Sequence, residues 1–183
     1  MAGYPEEYEK TVTLNDGTTL LFRPERSTDT EMIWKMFSTL SQESLRYLVN
    51  PFPRERIEQW TSNINYEKAL PIVAVIQQGR KPRIIATASL EFRSAPAEKH
   101  KAEFGITVHD TYQNKGIGTA LTKHILNIAR KKKLRKINLK VLAPNKKAIH
   151  VYRKCGFKTE ARLREENLIN GKYIDDHIMS IYL

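Results

Sequence analysis

Hydrophobic and polar positions follow two different periods along the first third of the chain. In KTVTLNDGTTLLFRP they alternate on both sides of the NDG tripeptide at 15–17, which predicts a β-hairpin closed by a tight turn. In STDTEMIWKMFSTLS, apolar residues instead recur at intervals of three and four, so one face of a helix would be buried. These residues are Ile33, Met36, Phe37 and Leu40. Further short helices are predicted around SQESLRYL and in PRERIEQWTSNI, the latter opened by Pro53.

The rest of the chain alternates between strand and helix patterns. LPIVAVIQQ and RIIATASLEFRS, joined through GRKP, predict an antiparallel pair, and KAEFGITVH predicts a third strand. A glycine-containing stretch then leads into a helix with a buried stripe from Ile117 to Ala129. KINLKVL predicts a strand, and NKKAIHVYRKCGF predicts a short helix capped by Asn145 and ended by Gly156. Two strands around the NG dipeptide at 170–171 complete an α/β layered domain with a mixed sheet.

The composition is that of an ordinary globular protein. Hydrophobic residues make up 40% and charged residues 28% of the 183 positions, which suits one domain over 1–183 with a substantial core. No apolar run approaches the roughly 20 residues of a membrane span, so no membrane partner is expected. The N-terminus MAGYPEEYEK lacks the features of a secretory signal, so we expect a cytoplasmic protein in which residues 1–9 could form a flexible tail.

Cysteine, histidine and charge narrow the candidate chemistry. Cys155 is the one cysteine and is interpreted as a small apolar residue near a helix end, not as a nucleophile or redox sensor. The five histidines lack ligand spacing, so we expect no metal. The net charge of +11 favours an anionic partner, either nucleic acid or a phosphate-bearing small molecule. The densest basic run, RKKKLRK at 130–136, has no interleaved aromatic residues and is interpreted as a solvated helix end.

The stretch VHDTYQNKGIGTALTKHIL at 108–126 joins a predicted strand to a predicted helix through two glycines. Such a turn aims free backbone N–H groups and the positive end of the helix dipole at one point, and glycine lets phosphate oxygens approach the main chain. A dinucleotide motif would need glycine or alanine in place of Leu121, and a P-loop would need a lysine after Gly118. The remaining pattern is Q/R-x-x-G-x-G/A, which Gln113, Gly116 and Gly118 fulfil.

A second motif follows in APNKKAIHVYRKCGF. Asn145, Ala148, Tyr152 and the GF dipeptide at 156–157 stand at N-x-x-A-x-x-x-Y-x-x-x-G-F spacing. With both motifs in order, the sequence resembles the GNAT superfamily of acetyl-CoA-dependent N-acetyltransferases, strongly over about 101–157. The resemblance implies a single N-acetyltransferase domain with a GNAT-like fold. That fold, of the mixed α+β type, has a twisted, mixed, mostly antiparallel sheet of about six to seven strands with helices on both faces.

The resemblance also implies acetyl-CoA, ending as coenzyme A, as the co-substrate. In that family the glycine turn binds the pyrophosphate of coenzyme A through main-chain amides. The corresponding residues here are Gln113, Asn114, Lys115, Gly116, Ile117, Gly118 and Thr119. Val108 would line the pantetheine and acetyl end, with a nearby backbone N–H as the oxyanion donor. Asn145 would contact the cofactor arm or simply cap its helix, and both roles can hold.

Acetyl transfer to an amine needs a neutral amine, a donor for the oxyanion and a proton for the departing thiolate. Tyr152 matches the family's general acid and would lie at the cofactor sulfur; alternatively, it is an aromatic residue partly buried against the sheet. Glu103 resembles the strand glutamate that acts as base in the lysine-modifying branch. Glu91, on the neighbouring strand, is the rival base, and strand alternation could point either side chain to solvent.

In this superfamily the acceptor is set mainly by the N-terminal helices and the final hairpin, so the resemblance implies the same here. LSQESLRYLVNPFP resembles a segment of Pat-type protein-lysine acetyltransferases, and GFKTEARLREENLINGKYIDDHIMSIYL resembles the C-terminal part of both these and the ribosomal-protein N-terminal acetyltransferases. A protein lysine is therefore the first choice, ahead of a protein N-terminus or a small amine such as a polyamine, amino acid or aminoglycoside. The acids that could meet a cationic acceptor are Glu43, Glu91, Glu103, Asp175 and Asp176.

Two functions from other classes stay open. A coenzyme A-binding sensor would keep the glycine turn without a working Glu103 and Tyr152. A basic nucleic-acid-binding protein would use the positive charge directly. The oligomeric state is expected to be a monomer or a homodimer.

Overall fold

The computed structural model describes residues 3–48, 52–79 and 81–183. Its strands are β1 Lys10–Thr13, β2 Thr19–Pro24, β3 Ala69–Gln78, β4 Lys81–Phe92, β5 Lys101–Val108, β6 Lys136–Leu142, β7 Lys158–Ile169 and β8 Lys172–Tyr182. Its α-helices are α1 Thr30–Ser38, α2 Gln42–Leu45, α3 Arg54–Ser62, α4 Ile117–Lys131 and α5 Lys146–Lys154. Residues 49–51 of the LSQESLRYLVNPFP segment, and Arg80 in the predicted GRKP turn, lie outside the described part.

All eight strands join one sheet in the order β1-β2-β3-β4-β5-β6-β8-β7. Every neighbouring pair is antiparallel except β5 and β6, which are parallel. The mixed, mostly antiparallel sheet is thus confirmed. Its size differs from the expected six to seven strands because the N-terminal hairpin and the long C-terminal hairpin both extend the same sheet.

Helices cover both faces of the sheet, as expected. Successive side chains of a strand point to opposite faces, so the apolar run of β3 serves two cores. Ile72 and Ala74 belong to the core under α4 and α5, and Val73 and Val75 belong to the core under α1 and α3. The short α2 lies beyond α1 and covers only part of the helix predicted around SQESLRYL.

The parallel strands β5 and β6 separate after a short pairing. Their register joins Lys101 to Lys136, Ala102 to Ile137 and Glu103 to Asn138. Strand β5 continues to Val108 and β6 to Leu142 without further pairing between them in the described part of the chain. The facing backbone edges beyond this point are therefore available to a ligand.

The N-terminal segment contacts the domain from residue 4 onward. Tyr4 donates a hydrogen bond through its hydroxyl to Glu9 (2.5 Å). Tyr8, in a 3-10 turn at Glu6–Tyr8, packs against the core under α4, and its carbonyl accepts a bond from His124 Nε2 (2.9 Å). Within the described part of 1–9, this segment is thus held by side-chain contacts.

A buried carboxyl group lies under α3. Glu25 is 0% exposed, and its Oε1 accepts a bond from the Trp60 indole. Its Oε2 has no hydrogen-bond partner in the described part of the chain. Burial, aided by the nearby charge of Asp29, raises the pKa of Glu25 to about 8, against the opposing effects of Trp60 and Arg23. The group therefore stays protonated in the folded protein at neutral pH.

We expect Glu25→Gln to remove a pH dependence of stability. The unfolded chain releases this proton near pH ~4.3, whereas the folded protein keeps it to about 8. The unfolded state thus binds fewer protons in this window, so the free energy of unfolding of the wild type falls as pH rises, by up to about 1.4 kcal/mol per pH unit. Urea unfolding from about pH 5 to about pH 8 measures the difference. Glu55→Gln, at an exposed site on α3, is the control; parallel pH profiles for wild type and Glu25→Gln would contradict the prediction.

Candidate active site

The separated ends of β5 and β6 open a cleft of about 1060 Å³. Helix α5, the start of α4, the short α2, part of α3 and the β7–β8 hairpin complete its walls. Nine of the residues expected at the site line it: Glu103, Val108, Gln113, Asn114, Gly116, Gly118, Thr119, Asn145 and Tyr152. Of the described residues expected at the site, Lys115, Ile117 and Glu91 are not part of its lining. The sequence-predicted residues therefore converge on one cleft with three exceptions.

The glycine turn is built by left-handed backbone. Asn114 has φ 62°, and Gly116, the N-cap of α4, has φ 83°. The backbone N–H groups of residues 116–119 lie at the start of α4, where no carbonyl of a preceding helical turn can accept their hydrogen bonds. Together with the positive end of the helix dipole, they favour binding of an anion. Ile117 is 1% exposed with its side chain in the core, so it can contribute to the cleft only through its backbone. A Cβ on Gly118 would lie 3.8 Å from both Val108 and Val151, because α4, β5 and α5 meet there.

Positively charged side chains lie along the α5 side of the cleft. Lys146, Lys147 and Lys154 line it along α5. Lys115 lies with its Nζ 5.9 Å from the ring centroid of Tyr112. This side therefore suits the phosphates of a nucleotide-bearing ligand.

A hydrogen-bond network that the sequence reasoning missed ties α2 to the glycine turn. Asp110 accepts bonds from the Ser41 N–H (2.8 Å), the Ser41 hydroxyl (2.6 Å) and the Ser44 hydroxyl (2.6 Å). Partial burial acts to raise the pKa of Asp110, but these bonds outweigh it and hold the pKa at about 2. Gln113 Nε2 donates to the Ser44 hydroxyl (3.1 Å) and the Val108 carbonyl (3.0 Å). The side chain of Gln113 thus bonds to other residues of the protein, and its direct contact with a cofactor stays a prediction.

Asn145 caps α5. Its Oδ1 accepts a bond from the Ala148 N–H (3.1 Å). Its Nδ2 makes no hydrogen bond to a described residue and so can donate to a ligand in the cleft. The capping role is confirmed, and the cofactor role is compatible with it.

Tyr152 presents a buried hydroxyl to the cleft. The residue is 6% exposed, and its ring packs with Phe104 (centroids 6.2 Å apart) and Phe157 (5.9 Å apart). Burial raises the pKa of the Tyr152 hydroxyl above its usual value, with a smaller effect of Cys155. The hydroxyl makes no hydrogen bond to a described residue. It therefore keeps its proton at neutral pH and is free to donate it to a ligand.

The two candidate bases occupy different positions. Glu91 and Glu103 are direct cross-strand partners, so both side chains lie on the same face of the sheet. Glu103 lines the cleft and forms an ion pair with Arg93, in which its side chain is 39% exposed. Glu91 is exposed and lies outside the lining. Of the two, only Glu103 is therefore placed to meet a ligand in the cleft, and the role of base stays a prediction.

The remaining acids also differ in position. Glu43, on α2, lies at the cleft with its Oε1 3.5 Å from Lys147 Nζ. Asp175 accepts bonds from Arg162 Nε (2.6 Å) and the Glu165 N–H (2.9 Å) and lies outside the described lining. Asp176 is 4% exposed and lines the cleft.

Three further features are the single cysteine, the lack of a metal cluster and the lack of a membrane helix among the described residues. Burial raises the pKa of the Cys155 thiol, whose Sγ lies 3.8 Å from the Thr119 carbonyl, so a structural role is favoured. No three His, Cys, Asp or Glu side chains of the described residues are placed to hold a metal ion. Across 3–48, 52–79 and 81–183, no helix has the length and apolar character needed to cross a membrane.

Comparisons with known proteins give a family match, two similar structures and one relative similar in sequence. The family model described as Acetyltransferase (GNAT) family matches residues 34–157. The GNAT domain of S. lividans PAT has a TM-score of 0.78 and 26% identity, covering 99% of this chain and 100% of that one. Spermidine N-acetyltransferase from Vibrio cholerae, solved with CoA and spermine, has a TM-score of 0.75 and 27% identity, covering 89% and 95%. An L-amino acid N-acetyltransferase of Escherichia coli (strain K12) is 30% identical over 98 residues, or 53% of this chain; the match spans 60% of that relative's length.

Proposed function

Because the chain belongs to the GNAT family of acetyltransferases, we propose that it transfers the acetyl group of acetyl-CoA to a primary amine, with a protein lysine as the first acceptor. One observation carries this proposal. The free amides of the glycine turn and the buried hydroxyl of Tyr152 face the same cleft, which opens where β5 and β6 separate.

The residues present fit acetyl-CoA. The amides of 116–119 would hold the pyrophosphate, and lysines such as Lys146 add positive charge. The unpaired backbone edge of β5 up to Val108 would bind the pantetheine arm and offer an N–H to the oxyanion. Acetyl-CoA supplies the thioester carbonyl that the amine attacks directly.

Two side chains move the protons. Glu103, directly or through a water molecule, takes the proton of the ammonium before attack and passes it to solvent, so that a neutral amine forms the N–C bond. Tyr152 donates its proton to the sulfur as the C–S bond breaks and recovers a proton from the new amide nitrogen, so the products are an amide and a neutral thiol. The high pKa of Tyr152 suits this order, because the hydroxyl still carries its proton when the thiolate departs.

The choice of a protein lysine is supported by the resemblance of LSQESLRYLVNPFP to Pat-type enzymes and by the likeness to the GNAT domain of S. lividans PAT over 99% of the chain. A polyamine is the second candidate, favoured by the likeness to the spermidine N-acetyltransferase solved with spermine. Free thiol release from acetyl-CoA, measured with a lysine peptide, spermidine, amino acids and an aminoglycoside, tests both. Cofactor binding without thiol release for any amine would favour a sensor, and salt-dependent DNA affinity without coenzyme A affinity would favour nucleic-acid binding.

We expect Glu103→Gln to lower kcat at least about tenfold at neutral pH, because the amine then loses its proton acceptor. The defect should shrink as pH rises, since more of the amine is neutral without help. Glu91→Gln, one strand away on the same face, should stay within about twofold of the wild type. Steady-state rates of both variants over a pH series measure this. A larger loss for Glu91→Gln than for Glu103→Gln would reverse the assignment.

A further inference from the structure

Asp176 differs from the other carboxylates of the cleft. Glu43, Glu103 and Glu166 also line it, and each forms an ion pair, with Lys147, Arg93 and Lys140 respectively. Asp176 is 4% exposed, and its Oδ1 has no hydrogen-bond partner in the described part of the chain. A buried carboxylate oxygen without a partner is costly, so a ligand, an ion or a water molecule is expected to satisfy it.

A neighbouring group on the same wall is also unsatisfied. Asn167 lines the cleft, and its buried Nδ2 has no partner in the described part of the chain. One side of the cleft therefore holds a buried acceptor and a buried donor that the protein itself does not satisfy. This wall thus fits a polar ligand better than an apolar one.

An irregularity in the β7–β8 hairpin builds this wall. The register joins Leu163 to Asp176 and then Asn167 to Ile174, so residues 164–166 oppose the single residue Asp175. Glu165 takes the left-handed conformation there (φ 53°), and Asp175 holds the bulge by accepting the Glu165 N–H. A bulge of this kind redirects side chains, and here Glu166 and Asn167 reach the cleft.

The register also places Asp176 on the same face of the sheet as Glu103. Asp176 is the direct partner of Leu142, at the end of β6 that has separated from β5. Glu103 is the partner of Asn138, four residues earlier on β6 and therefore on the same face as Leu142. Asp176 and Glu103 thus flank the opening from two sides on one face of the sheet.

We propose that Asp176 binds the ammonium group of the acceptor, so that the cleft selects primary amines that arrive as cations. The inference rests on the proposed amine acetylation and assigns a residue to the acceptor half of the site. A cation fits this position because Asp176 Oδ1 accepts no hydrogen bond from a described residue and the nearby Lys140 donates to Glu166 instead (2.9 Å). A primary ammonium offers three donors to such a carboxylate. Glu103 then takes the proton before attack.

The test compares wild type, Asp176→Asn and Glu160→Gln in steady-state thiol release with a lysine peptide and with spermidine. We expect Asp176→Asn to raise KM for the amine at least about tenfold, with a smaller change in kcat. The dissociation constant of acetyl-CoA, measured by calorimetry, should stay within about twofold, because the cofactor side is untouched. Glu160→Gln removes a carboxylate from the same hairpin outside the described lining and should leave both constants unchanged.

The possible results separate the binding role of Asp176 from the proposed acetyltransferase function. An unchanged KM for the amine in Asp176→Asn, or a loss confined to kcat, would overturn the binding role while leaving the acetyltransferase function intact. No thiol release by the wild type with any amine, despite acetyl-CoA binding, would overturn the proposed function and this inference together. Asp176→Ala gives a second measurement with the carboxylate removed, and its retained acetyl-CoA affinity reports that the cleft has folded. The relative KM increase for the two amines indicates which acceptor uses Asp176.

Discussion

Tyr152→Phe is expected to lower kcat by about 100-fold or more while the dissociation constant of acetyl-CoA changes less than about twofold. The substitution removes one oxygen and leaves the ring packed against Phe104 and Phe157. The hydroxyl bonds to no described residue, so its removal leaves no protein group unsatisfied. The expected loss is therefore confined to protonation of the departing thiolate. Single-turnover kinetics combined with calorimetry separate the two constants.

A matched control removes a hydroxyl outside the cleft. Tyr66→Phe deletes a hydroxyl that donates to the Glu25 carbonyl (2.5 Å), so it should change stability and leave kcat nearly unchanged. Equal losses of kcat and cofactor affinity in Tyr152→Phe would mean that the tyrosine serves binding alone. An unchanged kcat would remove it from the mechanism.

Gly118→Asp is expected to weaken coenzyme A binding by about 100-fold or more. A carboxylate at this position would stand among the free amides where the pyrophosphate is expected, and like charges would repel. The fold should survive, because a Cβ here meets only ordinary contacts at 3.8 Å and an acid in the first turn suits the helix dipole. Thermal unfolding and calorimetric titration measure the two effects separately.

Gly118→Asn separates charge from size. The asparagine has nearly the same volume without the charge, so its loss of affinity should be smaller, at about tenfold. Equal losses for the two variants would indicate that steric filling, not charge, decides binding. Retained affinity in both would show that the glycine turn is not the phosphate site.

The sequence carries strong local signals for most elements. The apolar run LPIVAVI, the stripe from Ile117 to Ala129 and the caps Asn145 and Gly156 each depend on neighbours within one or two turns, and they predict their strand or helix correctly. The two motifs that support the acetyltransferase resemblance are local in the same sense, so the cleft walls at α4 and α5 could be found from sequence.

The features that complete the site depend on long-range register. Nothing local in KAEFGITVH indicates that β5 leaves β6 after Glu103, because the separation is a property of two strands far apart in sequence. Likewise, nothing in the sequence around Asp110 indicates its role, which appears only when the fold brings Ser41 and Ser44 against it. Asp175 and Asp176 are adjacent in sequence and point to opposite faces of β8, and only the long-range register shows that Asp176 is the buried one.

The most direct test of the account is a rapid-mixing experiment that follows thiol release and acetylated amine together. With acetyl-CoA alone, we predict no burst of thiol, because the acetyl group passes straight to the amine without an acetylated enzyme. On adding the accepted amine, thiol and acetylated amine should appear at the same rate and in equal amounts. A burst of thiol equal to the enzyme concentration before any amine is added, or thiol release without an acetylated amine, would contradict direct transfer in this cleft.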